Sequence, residues 1–229
     1  PLHLRPSAAL ADHEFARSTT GAPIDMLYQT DQLVGFGGVR QAYGELELRY
    51  DSRRSATVWE PESLPVTGWL LAGFGGRHVA LDEGSDYWRY GVDLQRFVRM
   101  GPGPRVVSFR AHGEAVTGSL DEVPFSELPR LGGKLLRGYA SDQFRDRVAM
   151  VGSVDYQWSI QANLSGRLFA DAGRVYRTVG DATFDNLRLG YGVAVEMYTQ
   201  KSFLARASLA SSIDGGVFFD LALDPGDVV

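Results

Sequence analysis

The sequence predicts an all-β chain of antiparallel strands, each with one apolar face and one polar or small face. Three observations carry this. Apolar and polar residues alternate with a period of two along most of the chain. No segment of useful length keeps the helical period, and glycine (27 of 229 residues) interrupts nearly every apolar window, where it would weaken a helix. Clusters of Gly, Pro, Asn and Asp punctuate the alternating segments at short intervals.

The strands follow in order. A weak one opens the chain at 2–11. In 44–51, Leu46, Leu48 and Tyr50 fall on one face and Glu45, Glu47, Arg49 and Asp51 on the other. Strands are read next at 68–78, 87–97 and 105–114, the last two divided by the turn Gly101-Pro-Gly-Pro104. In 147–158, Val148, Met150, Val154, Tyr156 and Trp158 oppose Ala149, Val151, Ser153, Asp155 and Gln157. A strand at 163–173 carries Ser165, Arg167, Phe169 and Asp171 on its polar face. In 187–198, Leu189, Tyr191, Val193, Val195 and Met197 oppose Arg188, Gly190, Gly192, Ala194 and Glu196. Strands at 202–211 and 216–223 finish the series, with Asp214-Gly-Gly216 as the turn between them. That makes about ten strands.

Composition excludes several classes. Twenty-three basic against 28 acidic residues give a net charge of −5, which is not the footprint of a nucleic-acid-binding protein. There is no cysteine, so disulfide scaffolds and thiolate metal sites are out. The longest charge-free run, 63–76, holds 14 residues with four glycines and a proline, short of the roughly 20 apolar residues of a spanning helix. Spanning β-strands, which need only about 9–11 residues, are not excluded. The first residues do not read as a signal peptide, so Pro1 is expected to be a mature terminus or a point inside a longer protein.

Two-faced strands suit either a soluble sandwich, with the apolar face as core, or a membrane barrel, with the apolar face toward lipid. Three details favour the barrel. The polar faces mix both charge signs with Gly and Ala, as a crowded lumen would. Aromatic residues (Trp69, Tyr87, Trp88, Tyr156, Trp158, Tyr198 and Phe203) gather near strand ends, where interfacial girdles belong. Connections alternate in length: the stretch 116–146 is long, 101–104 and 199–202 are tight, and 53–67 breaks the rule.

The long connection carries Leu131-Gly-Gly-Lys-Leu-Leu-Arg-Gly-Tyr139, and the second strand after it carries Phe169-Ala-Asp-Ala-Gly173. Tyr50-Asp-Ser-Arg53 is followed by Pro65-Val-Thr-Gly68. Together these resemble the lid-loop, lumen-strand and periplasmic-turn motifs of the outer-membrane assembly and two-partner-secretion superfamily, which includes BamA, TamA and FhaC and whose barrel is called the bacterial surface antigen domain. The resemblance covers 44–223. It implies a transmembrane antiparallel β-barrel in a bacterial outer membrane, with the long loop folded into the lumen. Residues 1–229 would be the C-terminal portion, about ten strands of sixteen, with the N-terminal strands and any periplasmic domains absent from this chain.

The resemblance also assigns roles. The lid-loop motif is Leu136, Arg137, Gly138 and Tyr139; the lumen motif is Phe169, Asp171 and Gly173. Arg137 would pair with Asp171, bidentate through its guanidinium fork. The competing reading leaves Arg137 in solvent and pairs Asp171 with Arg167 or Arg188. The last strand, with Gly216, Val217, Phe219 and Leu221, would form one side of a lateral seam whose free edge pairs with client strands. Barrels of that family commonly end on an aromatic residue; this chain ends Asp-Val-Val229, so either Phe219 serves instead, or the chain is edited, or assembly recognition differs.

The implied function is insertion of proteins into the outer membrane or translocation across it. The implied partners are outer-membrane lipids, unfolded outer-membrane or secreted clients and periplasmic accessory proteins. Two other readings remain: the barrel as anchor of a fused enzyme or dedicated pore for one secreted partner, and a soluble β-sandwich binding module. No catalytic group, cofactor or metal is expected. His3, His13, His78 and His112 lack ligand spacing, Gly132-Gly-Lys134 lacks the phosphate-loop frame, and no nucleophile elbow occurs.

Overall fold

The computed structural model describes residues 2–14, 33–54, 65–82, 84–103, 105–198 and 203–223. Ten long strands form one antiparallel sheet: β1 (Leu2–His13), β2 (Val39–Asp51), β3 (Gly68–Ala80), β4 (Tyr87–Arg99), β5 (Arg105–Val116), β8 (Val148–Gln161), β9 (Leu164–Tyr176), β10 (Arg188–Tyr198), β11 (Phe203–Ser212) and β12 (Val217–Leu223). Two short strands, β6 (Arg130–Leu131) and β7 (Phe144–Arg145), pair with each other inside the long connection. Each long strand pairs with its neighbours in sequence, so the sheet is a meander. It is open among the described residues, with β1 and β12 as its edges.

The alternation decides the faces. Along β10 every second residue from Gly190 to Tyr198 is buried or half-buried, and the intervening Leu189, Tyr191, Val193, Val195 and Met197 are each more than 40% exposed. Leu46, Leu48, Leu94, Phe109, Val154, Leu168, Leu209 and Phe219 share that uncovered face. No second sheet covers it among the described residues, so this is not a sandwich. The opposite face buries Asp155, Gln157, Ser165, Asp171 and Glu196. An apolar face left open and a charged face buried invert the arrangement of a soluble sheet.

The strands run two to five residues beyond their sequence limits at several ends, most at the start of β2. Residues 39–43 break the alternation, but they pair with β1 on one side and, from Gln41, with β3 on the other. Two of the aromatic residues placed in a girdle belong elsewhere. Tyr87 faces the polar side, stacked on His78 at 4.5 Å and donating to Gln41 at 3.1 Å. Tyr198 shares its face with Glu196 and donates to it. In both cases parity along the strand overrides proximity to its end. Trp69, Trp88, Tyr156 and Trp158 do face outward; the side chain of Phe203, the turn 199–202, most of 53–67 and the tail 224–229 lie outside the described residues.

The connection from β5 to β8 folds back over the polar face. A 3-10 turn at Phe125–Glu127 and the β6–β7 ribbon lead into and out of the motif loop. Leu131, Leu136 and Tyr139 are almost fully buried against Ala149 and Val151 of β8. The best-buried apolar side chains of this region therefore lie under the loop, on the polar side of the sheet.

Candidate functional site

The tight β8–β9 connection fixes the register, opposing Ser153 to Asp171 and Asp155 to Phe169. Both aspartates thus project from the same face, one pair apart. Arg137, at the tip of the loop, meets both. Its backbone N–H and Nε donate to Asp171 Oδ2 at 2.9 and 2.7 Å, and Nη2 donates to Oδ1 at 2.6 Å. Nη1 and Nη2 reach Asp155 at 2.8 and 3.2 Å. The guanidinium carbon stands 3.8 Å from the centre of the Phe169 ring. Four of the five guanidinium N–H groups are thereby used in charge-assisted bonds, and the ring covers one face. Burial disfavours the cation, but the bonds to Asp171 and Asp155 outweigh it and hold the Arg137 pKa above its ordinary range.

Glycine makes the close approach possible. Gly138 has φ +91°, and a Cβ there would overlap the Ser211 carbonyl of β11. A Cβ on Gly190 of β10 would stand 1.7 Å from the Arg137 carbonyl oxygen, deep in overlap. The loop tip thus sits directly on the β10 and β11 backbone. Gly173 likewise leaves room for Leu131, whose Cδ1 would stand 3.2 Å from an added Cβ. Leu136 is fully buried in the cluster with Ala149 and Val151.

Tyr139 donates its hydroxyl to Asp214 Oδ2 at 2.9 Å, in the turn between β11 and β12, and its ring lies edge-on to Phe144 at 5.2 Å. Burial, and then the bond to Asp214, push its pKa above the ordinary tyrosine value. Asp214 also accepts from Arg188 at 2.8 Å. Neither Arg167 nor Arg188 pairs with Asp171: Arg188 is engaged by Asp214, and Arg167 by Asp155 at 3.2 Å and Glu196 at 2.9 Å.

The last of these contacts extends the site beyond the motifs. Glu196, 0% exposed, takes Arg167 on one oxygen and Arg206 Nε on the other at 2.6 Å. Gln157 donates to Glu196, Ser165 and the Tyr198 hydroxyl. A chain of alternating charge therefore runs Asp171–Arg137–Asp155–Arg167–Glu196–Arg206 across β9, the loop, β8, β10 and β11. Sequence reasoning missed Asp155 as the second partner of Arg137, and missed the chain. The signal was present: all the strand members share the polar parity, and tight turns fix their neighbours.

Ahead of β12, Gly215 and Gly216 adopt φ +89° and +90°. Among the described residues β12 pairs only with β11, from Ser211–Val217 to Ala205–Leu223. Val217, Phe219 and Leu221 are 71%, 69% and 58% exposed. The described residues hold no group of three or more His, Asp or Glu that could bind a metal. The arrangement orders a loop on a sheet.

The Omp85 superfamily domain matches residues 59–214 of the chain. Among solved structures, the crystal structure of BamA from Haemophilus ducreyi lacking POTRA domains 1-3 is similar, with a TM-score of 0.64 and 14% identity. The match covers 86% of this chain and 46% of that one, so the chain spans about half the length of the protein it matches. No curated protein matches it. At that identity the structural likeness speaks for the fold alone, but the family domain covers well over half of the chain: the chain belongs to the Omp85 superfamily.

Proposed function

We propose that this chain is the barrel portion of a bacterial outer-membrane protein that inserts client proteins into that membrane or moves them across it. Residues 1–229 serve as its C-terminal barrel portion. Further strands complete a sixteen-stranded barrel. The open sheet, the uncovered apolar face and the partial span of the BamA relative support this reading. The observation that carries it is the loop tip held over the polar face by Arg137, with Asp171 and Asp155 as its two anchors.

In this reading Leu136, Arg137, Gly138 and Tyr139 form a lid, and Phe169, Asp171 and Gly173 its seat. Gly216, Val217, Phe219 and Leu221 belong to a lateral seam, where the free edge of β12 offers unpaired backbone groups to an incoming strand. Outer-membrane lipids, unfolded clients and periplasmic accessory proteins are its partners. The chain carries out no chemistry of its own.

The test uses the full-length protein in lipid vesicles, to which a urea-unfolded outer-membrane barrel is added. Folding is followed by heat-modifiable gel migration of the client. The protein is expected to speed client folding over protein-free vesicles. Equal rates with and without it, for membrane clients and translocated clients alike, would overturn the proposal.

A further inference from the structure

The uncovered apolar face is bounded at both ends by arginines, and the two ends differ. At the end where the loops are long, Arg77 pairs with Asp86 at 2.9 Å, Arg40 with Asp12 and Asp82 at 3.5 and 3.7 Å, and Arg174 donates to the Asp185 carbonyl at 2.9 Å. At the end with the tight turns stand Arg96 of β4 and Arg105 of β5. Neither has a carboxylate partner among the described residues. Arg96 instead lies over the Trp69 ring, 4.8 Å from its centre. Arg105 stands opposite Trp158, which stacks on Tyr156 at 5.6 Å.

These residues lie at one depth. Trp69 opposes Arg96, Arg96 opposes Phe109, and Phe109 opposes Val154. Trp158 lies four residues beyond Val154, three strands across from Trp69. Strands tilted by about 35–45° and spaced about 4.8 Å apart step by roughly one residue per strand along a line of constant height. The opposite boundary steps the same way. Arg174 traces through Met150, Gly113 and Val92 to Gly73, four residues from Arg77 on β3 and toward the same end.

An apolar band edged by aromatic rings is where a bilayer's hydrocarbon gives way to headgroups. Arginines placed there without acidic neighbours carry uncompensated positive charge at the level of the lipid phosphates. The geometry points to a binding site for anionic phospholipid headgroups at the tight-turn rim, formed by Arg96 with Trp69 and by Arg105 with Tyr156 and Trp158. The inference rests on the reading that the apolar face meets lipid. It adds a leaflet-specific preference: at the opposite rim Arg77 and Arg40 are each paired with carboxylates.

The full-length protein, carrying Trp88→Phe to silence the opposite rim, is folded into phosphatidylcholine vesicles containing brominated phosphatidylcholine or brominated phosphatidylglycerol. Tryptophan quenching reads the relative affinity of the two lipids. The brominated phosphatidylglycerol is expected to be preferred. That preference should fall about five-fold for each of Arg96→Gln and Arg105→Gln, and should persist in Arg96→Lys and Arg105→Lys. Equal quenching by the two lipids, a preference unchanged in the glutamine variants, or its abolition by inorganic phosphate would each overturn the site as a lipid site. Heat-modifiable migration of the same samples separates the two readings. Samples that migrate as folded barrels without a lipid preference sink only this inference. Samples that show no such migration sink the barrel reading and this inference with it.

Discussion

Tyr139 and Asp214 are 75 residues apart in sequence, and the hydroxyl of one donates to the carboxylate of the other at 2.9 Å. The bond ties the tip of the long loop to the turn from which the edge strand β12 departs. Removing it in Tyr139→Phe leaves Asp214 its bond to Arg188 and leaves the Arg137 contacts intact. The expected cost is about 1.5–3 kcal/mol, as for a hydrogen bond to a charged group, and it should be local. Hydrogen exchange should quicken at 213–223 and stay unchanged in β8 and β9. Equal acceleration in β8 and β9 would contradict a local tie.

The same hydroxyl gives the contact a pH limit. Burial and the bond to Asp214 raise the Tyr139 pKa above its unfolded value, so the neutral, donating form is favoured in the folded state. The stabilisation is complete below the unfolded tyrosine value of about 10 and is lost as pH rises through the raised folded value. Exchange at 213–216 should therefore stay slow to beyond pH ~10 and then rise, whereas in Tyr139→Phe it should show no such step.

Arg137 bridges two carboxylates, of which Asp171 has a side chain with no solvent exposure. Arg137→Ala leaves them facing each other in a closed space, and a cost of about 3–5 kcal/mol is expected. Arg137→Lys should recover little, because a single ammonium cannot span both acids and stack on Phe169. Denaturant unfolding of the folded protein in micelles measures both. A lysine variant as stable as the parent would show that charge alone suffices.

Gly190→Ala tests the close approach without touching any charge. The added methyl overlaps the Arg137 carbonyl oxygen at 1.7 Å, so the tip must lift. A loss of about 1–3 kcal/mol is expected, with faster exchange at 135–140. The same substitution at Gly75, where a Cβ would meet nothing within 4 Å, is the control and should be near neutral.

Much of this was legible in the residues. The period of two was enough for every long strand, because each β segment keeps its apolar side chains on one face over most of its length. It fell short at 39–43, where pairing on both sides sustains a strand that the pattern does not mark. Tyr87 and Tyr198 were misplaced because nearness to a strand end is a weaker guide than parity. The motif residues could be named from their resemblance to the family's lid-loop and lumen-strand motifs. Asp155 and the Arg167–Glu196–Arg206 contacts could not, because they depend on registers across three hairpins, and on a loop whose descent onto β10 turns on two glycines.

The alternating chain holds three cations, Arg137, Arg167 and Arg206, against three carboxylates, Asp171, Asp155 and Glu196, so it is neutral as it stands. Only Arg137 belongs to the loop. Withdrawing the tip subtracts one positive charge and uncovers Asp171 and Asp155 together, leaving a vacated seat of net charge −1. Whatever next settles there is then selected for a guanidinium or ammonium of its own, so the departing segment leaves behind an electrostatic imprint of itself.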